Sequence, residues 1–477
     1  MSAQSNGSLV AFATTVVTNL APLAGVWLLG WDADSLAFVY TVEVLFAVLF
    51  AGVKALFAQQ PPDYDELESD EQTLDERDGK RSTGPSDLDR RRGSVRVVGW
   101  LPPVYPRNVP FTIRWFEVTL FLTPMLLGFL ARVVDPLAEL VSMATVLCAA
   151  SLVVSHVVTA SQQYVGNRQY ETVSPRSVAS VPVQEAGVVF GVVAVAGGGL
   201  TATGFVVASV VVKTLVDCGQ YRDGGLFGWF TTPATAGSLR TVAVPDAPVT
   251  EEIRPEWRAV VTNGLLSGAW TALGFVPFCL FLWLGILILS DGGPVDVVGV
   301  TVLAFVVVPV IVVGLETVAY VLTHGSMSYQ RRGETLVASD TLTETPQWTV
   351  PVGAVQRAEL SDGRLADRLF GTQSVTVTPV GVDEPTAADE LRLTHVKSAA
   401  RAASAFELPL ATTTYEPFRL RYAAVVVALT VVTVAAEVAL AFAGIGGVSQ
   451  VGLVILLPFA VPMTVFGFQT LSARAHA

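Results

Sequence analysis

Lysine is almost missing from this sequence. Lys54, Lys80, Lys213 and Lys397 are its four lysines among 29 strong bases; the others are arginines. Charge of either sign is scarce, at 15% of 477 residues, against about a quarter in an ordinary soluble protein. The net charge is −12, so the clustered positive surface that binds nucleic acid is lacking. Cys148, Cys218 and Cys279 are scattered without a CxxC pair, which excludes a disulfide framework and cysteine metal spacing. His156, His324, His395 and His476 stand apart in sequence, without the paired spacing of a zinc protease. Forcing Ser267 and His156 into an intramembrane serine protease fails on depth, because hydropathy places His156 near an inner edge. A phosphate-binding P-loop is also missing, and the Gly197–Gly199 run lacks the strand–helix setting that a nucleotide site needs. No basic region precedes the first apolar run, so no removable signal peptide is expected. These absences predict a protein that is not an enzyme and has no cofactor and no metal.

What is abundant is grease. Hydrophobic residues make up 52% of the chain, and they fall into runs of the length that crosses ~30 Å of hydrocarbon. Clear runs are Leu9–Trp31, Leu36–Ala58, Phe116–Val134, Leu137–Ala160, Val260–Ser290, Val297–His324, Tyr422–Ala443 and Gly452–Leu471. Tight links such as Asp32–Ser35 and Asp291–Asp296 carry no base, whereas the long connections hold Arg90, Arg91, Arg92, Arg107, Arg168 and Arg176. By the positive-inside rule the long connections and both termini are cytoplasmic, in the cell membrane. The stretch Val181–Asp217 lies between two basic connections, so it should cross an even number of times, reversing at Gly197–Gly199; a re-entrant pair is the rival. The expected fold is an all-α multi-pass bundle of about ten transmembrane helices with a small β-barrel or sheet inserted, closed by a C-terminal helix.

The expected organisation alternates membrane and cytoplasm along the chain. Transmembrane hairpins cover 1–58, 116–160, 260–324 and 421–477, with a short or re-entrant one at 181–217. Between them come an acidic linker and interfacial segment at 59–115, loops at 161–180 and 218–259, and a soluble domain at 325–420. Pro61–Arg92 is acidic, then basic, and nearly free of apolar residues, so disorder is predicted there. The following Trp100-Leu101-Pro102-Pro103-Val104-Tyr105-Pro106 is too aromatic for a linker and is expected along the membrane surface, as is Asp217–Arg258.

From Ser326 to Leu408 the apolar period shortens to two. Strands are predicted at Met327–Arg331, Glu334–Leu342, Trp348–Val352, Val355–Leu360, Ser374–Thr378 and Glu390–Val396, then an amphipathic helix at Lys397–Glu407. The ordered series Gln330-Arg331-Arg332-Gly333, Val350-Pro351-Val352, Val355-Gln356-Arg357, Leu369-Phe370-Gly371 and Val375-Thr376-Val377 resembles the bacterial pleckstrin-homology domain of the membrane-tethered type. The remainder, with Pro22-Leu23-Ala24-Gly25 and Glu43, is similar to haloarchaeal membrane proteins of unknown function. The acidic, lysine-poor composition resembles a halophilic archaeal proteome in the same way. The domain resemblance implies recognition or assembly at the membrane, with membrane lipids, a membrane protein or a second copy as partner.

Two sets of residues are singled out for function. Glu43, Glu437 and Glu316 are the deep carboxylates, and a charge at mid-bilayer costs roughly 2.5–3.5 kcal/mol, so they are structural hydrogen-bonders or mark an ion path. Lys54, Lys213, Glu185, His156 and Glu117 are read as snorkelling near cytoplasmic ends. Arg331, Arg332, Arg364 and Arg368 are the candidate headgroup or partner contacts, set against a solvated surface that also holds Glu359, Asp362 and Asp367. The leading expectation is a scaffold or sensor acting through the soluble domain. The alternative is a proton- or ion-coupled transporter or channel using Glu43 and Glu437.

Overall fold

The computed structural model describes residues 30–61, 91–133, 143–180, 201–221, 242–276, 303–361, 365–379 and 391–410, with isolated residues between these stretches. The expected spans at Tyr422–Ala443 and Gly452–Leu471, most of Leu9–Trp31 and the Gly197–Gly199 reversal lie outside them. Among the described residues, three helical stretches are long and apolar enough to cross a membrane: Ala33–Ala55, Thr145–Gly166 and Phe305–His324.

Helix α1 (Ala33–Ala55) starts where Asp32 caps it, its carboxylate accepting from the backbone N–H groups of Asp34 and Ser35. Asp34 in the first turn and Lys54 in the last suit the helix dipole. The other end is closed from afar. Asn108 donates its side-chain amide to the carbonyls of Ala55 (2.9 Å) and Ala58 (2.8 Å), and Tyr164 donates to that of Lys54 (2.8 Å). These bonds satisfy carbonyls that a helix end otherwise leaves unpaired. They also fold the Trp100–Pro106 segment back onto the end of α1, where Tyr105 N–H donates to Leu56 O.

Helix α2 (Val109–Val133) packs on α1, with Trp115 donating to Val48 O at 2.6 Å. Gly52 makes room for that ring, since a Cβ there would lie 2.6 Å from it. Helices α3 (Met143–Thr159) and α4 (Ala202–Tyr221) also contact α1, which is thus the hub of the first half. Both run past the expected ends: α3 continues as a π-helical turn over Ala160–Gly166, and α4 passes Asp217. Polar residues end the hydropathy signal there without ending the helix.

The second half is built on a tight helix pair. Helix α5 (Trp257–Gly274) lies against α6 (Val308–His324). Gly264 and Gly268 face α6, and a Cβ at Gly268 would meet the Val313 carbonyl at 2.8 Å. Small residues at this spacing let two backbones approach, as in membrane helix pairs.

Helix α6 runs into the soluble unit with only Gly325 and Ser326 between. Strands β2 (Met327–Arg332), β3 (Thr335–Asp340) and β4 (Thr345–Pro351) form a meander, turning at Gly333, whose φ is +58°. A further strand, β1 (Val249–Ile253), pairs antiparallel with β2. It precedes α5 in the chain, in the stretch expected only to lie on the membrane surface, and its burial pattern is exposed, which hid it from a hydrophobic reading. Strands β5 (Val355–Ser361), β6 (Thr372–Pro379) and β7 (Leu391–Lys397) form a second antiparallel sheet, with helix α7 (Leu365–Phe370) between β5 and β6. The single sheet expected from alternation is thus two, in orders β1-β2-β3-β4 and β5-β6-β7. Helix α8 (Ala399–Ala405) turns Ala399, Ala402 and Ala403 inward and brings Phe406 into a core with Tyr329, Leu336, Val350, Val375 and Leu393.

Candidate functional site

Glu43 occupies the middle of α1, and two other helices each bring a nitrogen-bearing side chain to it. Lys213 of α4 donates its Nζ to Glu43 Oε1, and His156 Nε2 of α3 lies 3.7 Å from the same oxygen. The carboxylate side chain is only 11% exposed. The continuation of α3 and α4 explains the meeting. His156 is the twelfth of 22 residues in Thr145–Gly166, and Lys213 the twelfth of 20 in α4. Both are therefore mid-helix residues, rather than snorkelling at an end. Phe46, three residues after Glu43, sets its ring 5.9 Å from that of His156. Glu316 is separate: it sits on α6 near Arg114 of α2. Glu437 lies outside the described residues.

A second polar centre joins the sheets to the helices. His395 of β7 is 1% exposed and both ring nitrogens are engaged. Asp367 Oδ1, on α7, is 2.7 Å from Nδ1, and the hydroxyl of Tyr320, on α6, is 2.7 Å from Nε2. A carboxylate only accepts, so Nδ1 carries the proton toward Asp367 and Nε2 accepts from Tyr320. Thr372 donates to the same Asp367 oxygen at 2.6 Å, and the Asn263 amide of α5 lies 3.4 Å from Nδ1. His324 completes the group, its ring edge-on to His395 with centroids 5.7 Å apart and Nδ1 3.2 Å from Thr394 Oγ1.

The backbone reinforces this clamp. His395 has φ +56°, a left-handed conformation that costs a non-glycine residue roughly 1–2 kcal/mol. It turns the His395 carbonyl to accept from Glu256 N–H at 2.8 Å, at the start of α5. The Glu256 carboxylate binds Lys397 Nζ at 2.8 Å, and that hydrogen bond holds its pKa below the usual carboxylate range.

A third anchor comes from the linker. Arg91 is 3% exposed and pairs at 2.9 Å with Asp340, itself 1% exposed, at the end of β3. It also donates to the Thr323 carbonyl of α6 and to Ser326 Oγ. The Arg92 carbonyl accepts from the side chains of Thr345 (3.0 Å) and Gln347 (3.1 Å). Gly93, with φ +91°, presses on Thr343 and Thr345, where a Cβ would be 2.6 Å from either. Arg91 and Arg92, expected within a disordered stretch, are instead held in place, because Arg91 has a buried carboxylate to meet.

Among the described residues, the candidate arginines are spread over two elements, β2 and α7. Arg331 binds Glu407 at 2.9 Å, and Arg332 donates to the side chain of Gln330. Both are at the end of β2 away from α6. Arg368 belongs to α7, which packs on α5, and Arg364 lies outside the described residues. Asp367, expected on a solvated surface, is instead buried against His395. The histidines read as isolated from one another include the adjacent pair His324 and His395. One signal for the clamp was available: period-two alternation puts His395 in register with the core residues Leu391 and Leu393.

Among known proteins, residues 1–225 match a family of unknown function (DUF6498). The match contains Glu43, His156 and Lys213, whereas the sheets and their clamp lie beyond it. No curated protein matches the chain, and no solved structure does.

Proposed function

We propose that this chain is a non-enzymatic, multi-pass protein of the cell membrane, a scaffold or sensor whose cytoplasmic sheet domain recognises a partner at the membrane surface. The bundle has about ten helices with both termini inside, by the parity and arginine placement of the sequence. The observation that carries the reading is the His395 clamp, whose ring joins Asp367 of α7 to Tyr320 of α6 and whose carbonyl accepts from Glu256 at the start of α5. A domain fixed to helix ends in this way transmits a change in the membrane helices to its exposed surface, or the reverse. Two antiparallel sheets of four and three strands with one terminal helix support the pleckstrin-homology resemblance. Recognition by such a tethered domain gains from high effective concentration toward other membrane components.

A photo-crosslinking residue placed singly at Glu334, Thr341 or Leu342, all exposed on the sheet domain, tests this in intact cells. The expected result is a discrete adduct, the same from cell to cell, with one protein, one lipid class or a second copy. Absence of any discrete adduct from all three positions contradicts the proposal.

The Glu43–Lys213–His156 centre favours a second reading, an ion- or proton-coupled transporter or channel. A carboxylate with two titratable partners at mid-helix is how membrane proton relays are built. Glu43→Gln in liposomes should then abolish flux. Because the change strands Lys213, the pair Glu43→Gln with Lys213→Met is the folding control. Equal flux from wild type and variant, or none from wild type, removes this reading.

A further inference from the structure

Helix α7 faces two ways. Asp367 and Ala366 are buried, the first against His395. Leu369 follows two residues later, which on a helix is roughly 200° further round, and it is 67% exposed. A lone exposed leucine needs no explanation. The height of this one does.

Asp367 of α7 bonds His395, whose ring accepts from Tyr320 on α6 and lies 3.4 Å from Asn263 on α5. Tyr320 precedes the end of α6 at His324 by four residues, ~6 Å along the axis. Asn263 follows the start of α5 at Trp257 by six residues, ~9 Å. Helix α7 thus lies beside the last turns of the helix pair and not beyond them. The polar layer outside the hydrocarbon is only ~5–8 Å thick on each side, so a helix at this height is level with the boundary between headgroups and acyl chains. Trp257, 59% exposed, marks the same rim, and tryptophan is enriched there.

We propose that α7 is a foot of the sheet domain in the lipid interface, with Leu369 inserted between phospholipid headgroups beside α5. The occupant is lipid because α7 lies beside the end of an apolar stretch, Phe305–His324, long enough to cross a membrane, with Trp257 exposed at the same rim. This site differs from the arginines of the β2 end, where Arg331 is already paired with Glu407. The inference rests on reading α6 as a membrane span.

The test uses the full chain in phosphatidylcholine–phosphatidylglycerol vesicles, with one fluorescent amino acid at position 369, 310 or 334. Val310 is 64% exposed on α6 and Glu334 is exposed at the far sheet turn. Emission from position 369 should be lost to a phospholipid spin-labelled near its headgroup and spared by aqueous iodide. Position 310 should lose emission to a label deep in the acyl chain, and position 334 only to iodide. Quenching of 369 by iodide as strongly as 334 overturns the inference. So does shielding of 369 from both quenchers, which assigns the face to a protein neighbour. If 310 escapes the lipid labels, the membrane-span reading itself fails, and the two failures are distinguishable.

Discussion

Arg91→Ala is expected to loosen the sheet domain from the end of α6, at a cost of about 3–5 kcal/mol. The size follows from what remains behind. Asp340 is 1% exposed, and its Oδ2 loses the guanidinium 2.9 Å away. Its other oxygen keeps only the 2.8 Å bond from Leu342 N–H. A surface ion pair would contribute only about 0–1 kcal/mol, so burial sets the magnitude. The same arginine fills bonds to Thr323 and Ser326, on the other side of the junction. Hydrogen exchange of the full chain in lipid nanodiscs is the suitable measurement, because a chain of several structural units has no single unfolding free energy. Amides of β2 and β3 should exchange roughly a hundredfold to several-thousandfold faster. Removing both partners, as Arg91→Met with Asp340→Leu, should restore most of the protection, since no charge is then left buried alone.

The sequence was most readable where one physical pattern acted alone. Continuous apolar runs marked α1 and α6, and alternation marked β2 to β7 to within a few residues. Legibility failed where a polar residue had a distant partner. Arg91 reads as part of a solvated charge run until Asp340, 249 positions later, is seen to be buried with it. Lys213 and His156 read as snorkelling because hydropathy ends their helices early, at Asp217 and Ala160. Strand β1 carries Glu251 and Glu252 and only Ile253 packs against the core, so its pairing with β2, helped by Ser328 donating to Glu252 at 2.8 Å, leaves no hydrophobic signature in the sequence. The clamp was half legible, since His395 takes a core position on its strand. Nothing local reveals that Asp367, Tyr320 and Asn263 come from three other elements to meet it.

His395→Ala should be the other severe change. It leaves the Asp367 carboxylate, 3% exposed, with the Thr372 hydroxyl bond, and removes the ring nitrogen to which the Tyr320 hydroxyl donates. A buried carboxylate that loses a hydrogen-bond donor costs about 1.5–3 kcal/mol, and the lost ring adds a cavity. Tyr320→Phe removes one hydroxyl and should cost less, about 1–3 kcal/mol, for an unsatisfied buried ring nitrogen. The difference in size separates the two halves of the clamp. One bond holds the sheet domain together from within, and the other holds it to α6.

That second bond is where the sheets join α6, and a double-mutant cycle on Tyr320→Phe and His395→Ala measures it. Exchange protection of β7 and α7, in nanodiscs, is the readout for both single variants and the double. A clamp across the junction predicts that the double variant loses about 0.5–3 kcal/mol less than the sum of the singles. Losses that add to within about 0.5 kcal/mol would mean that the sheet does not feel the helix, and the account would be wrong at its centre.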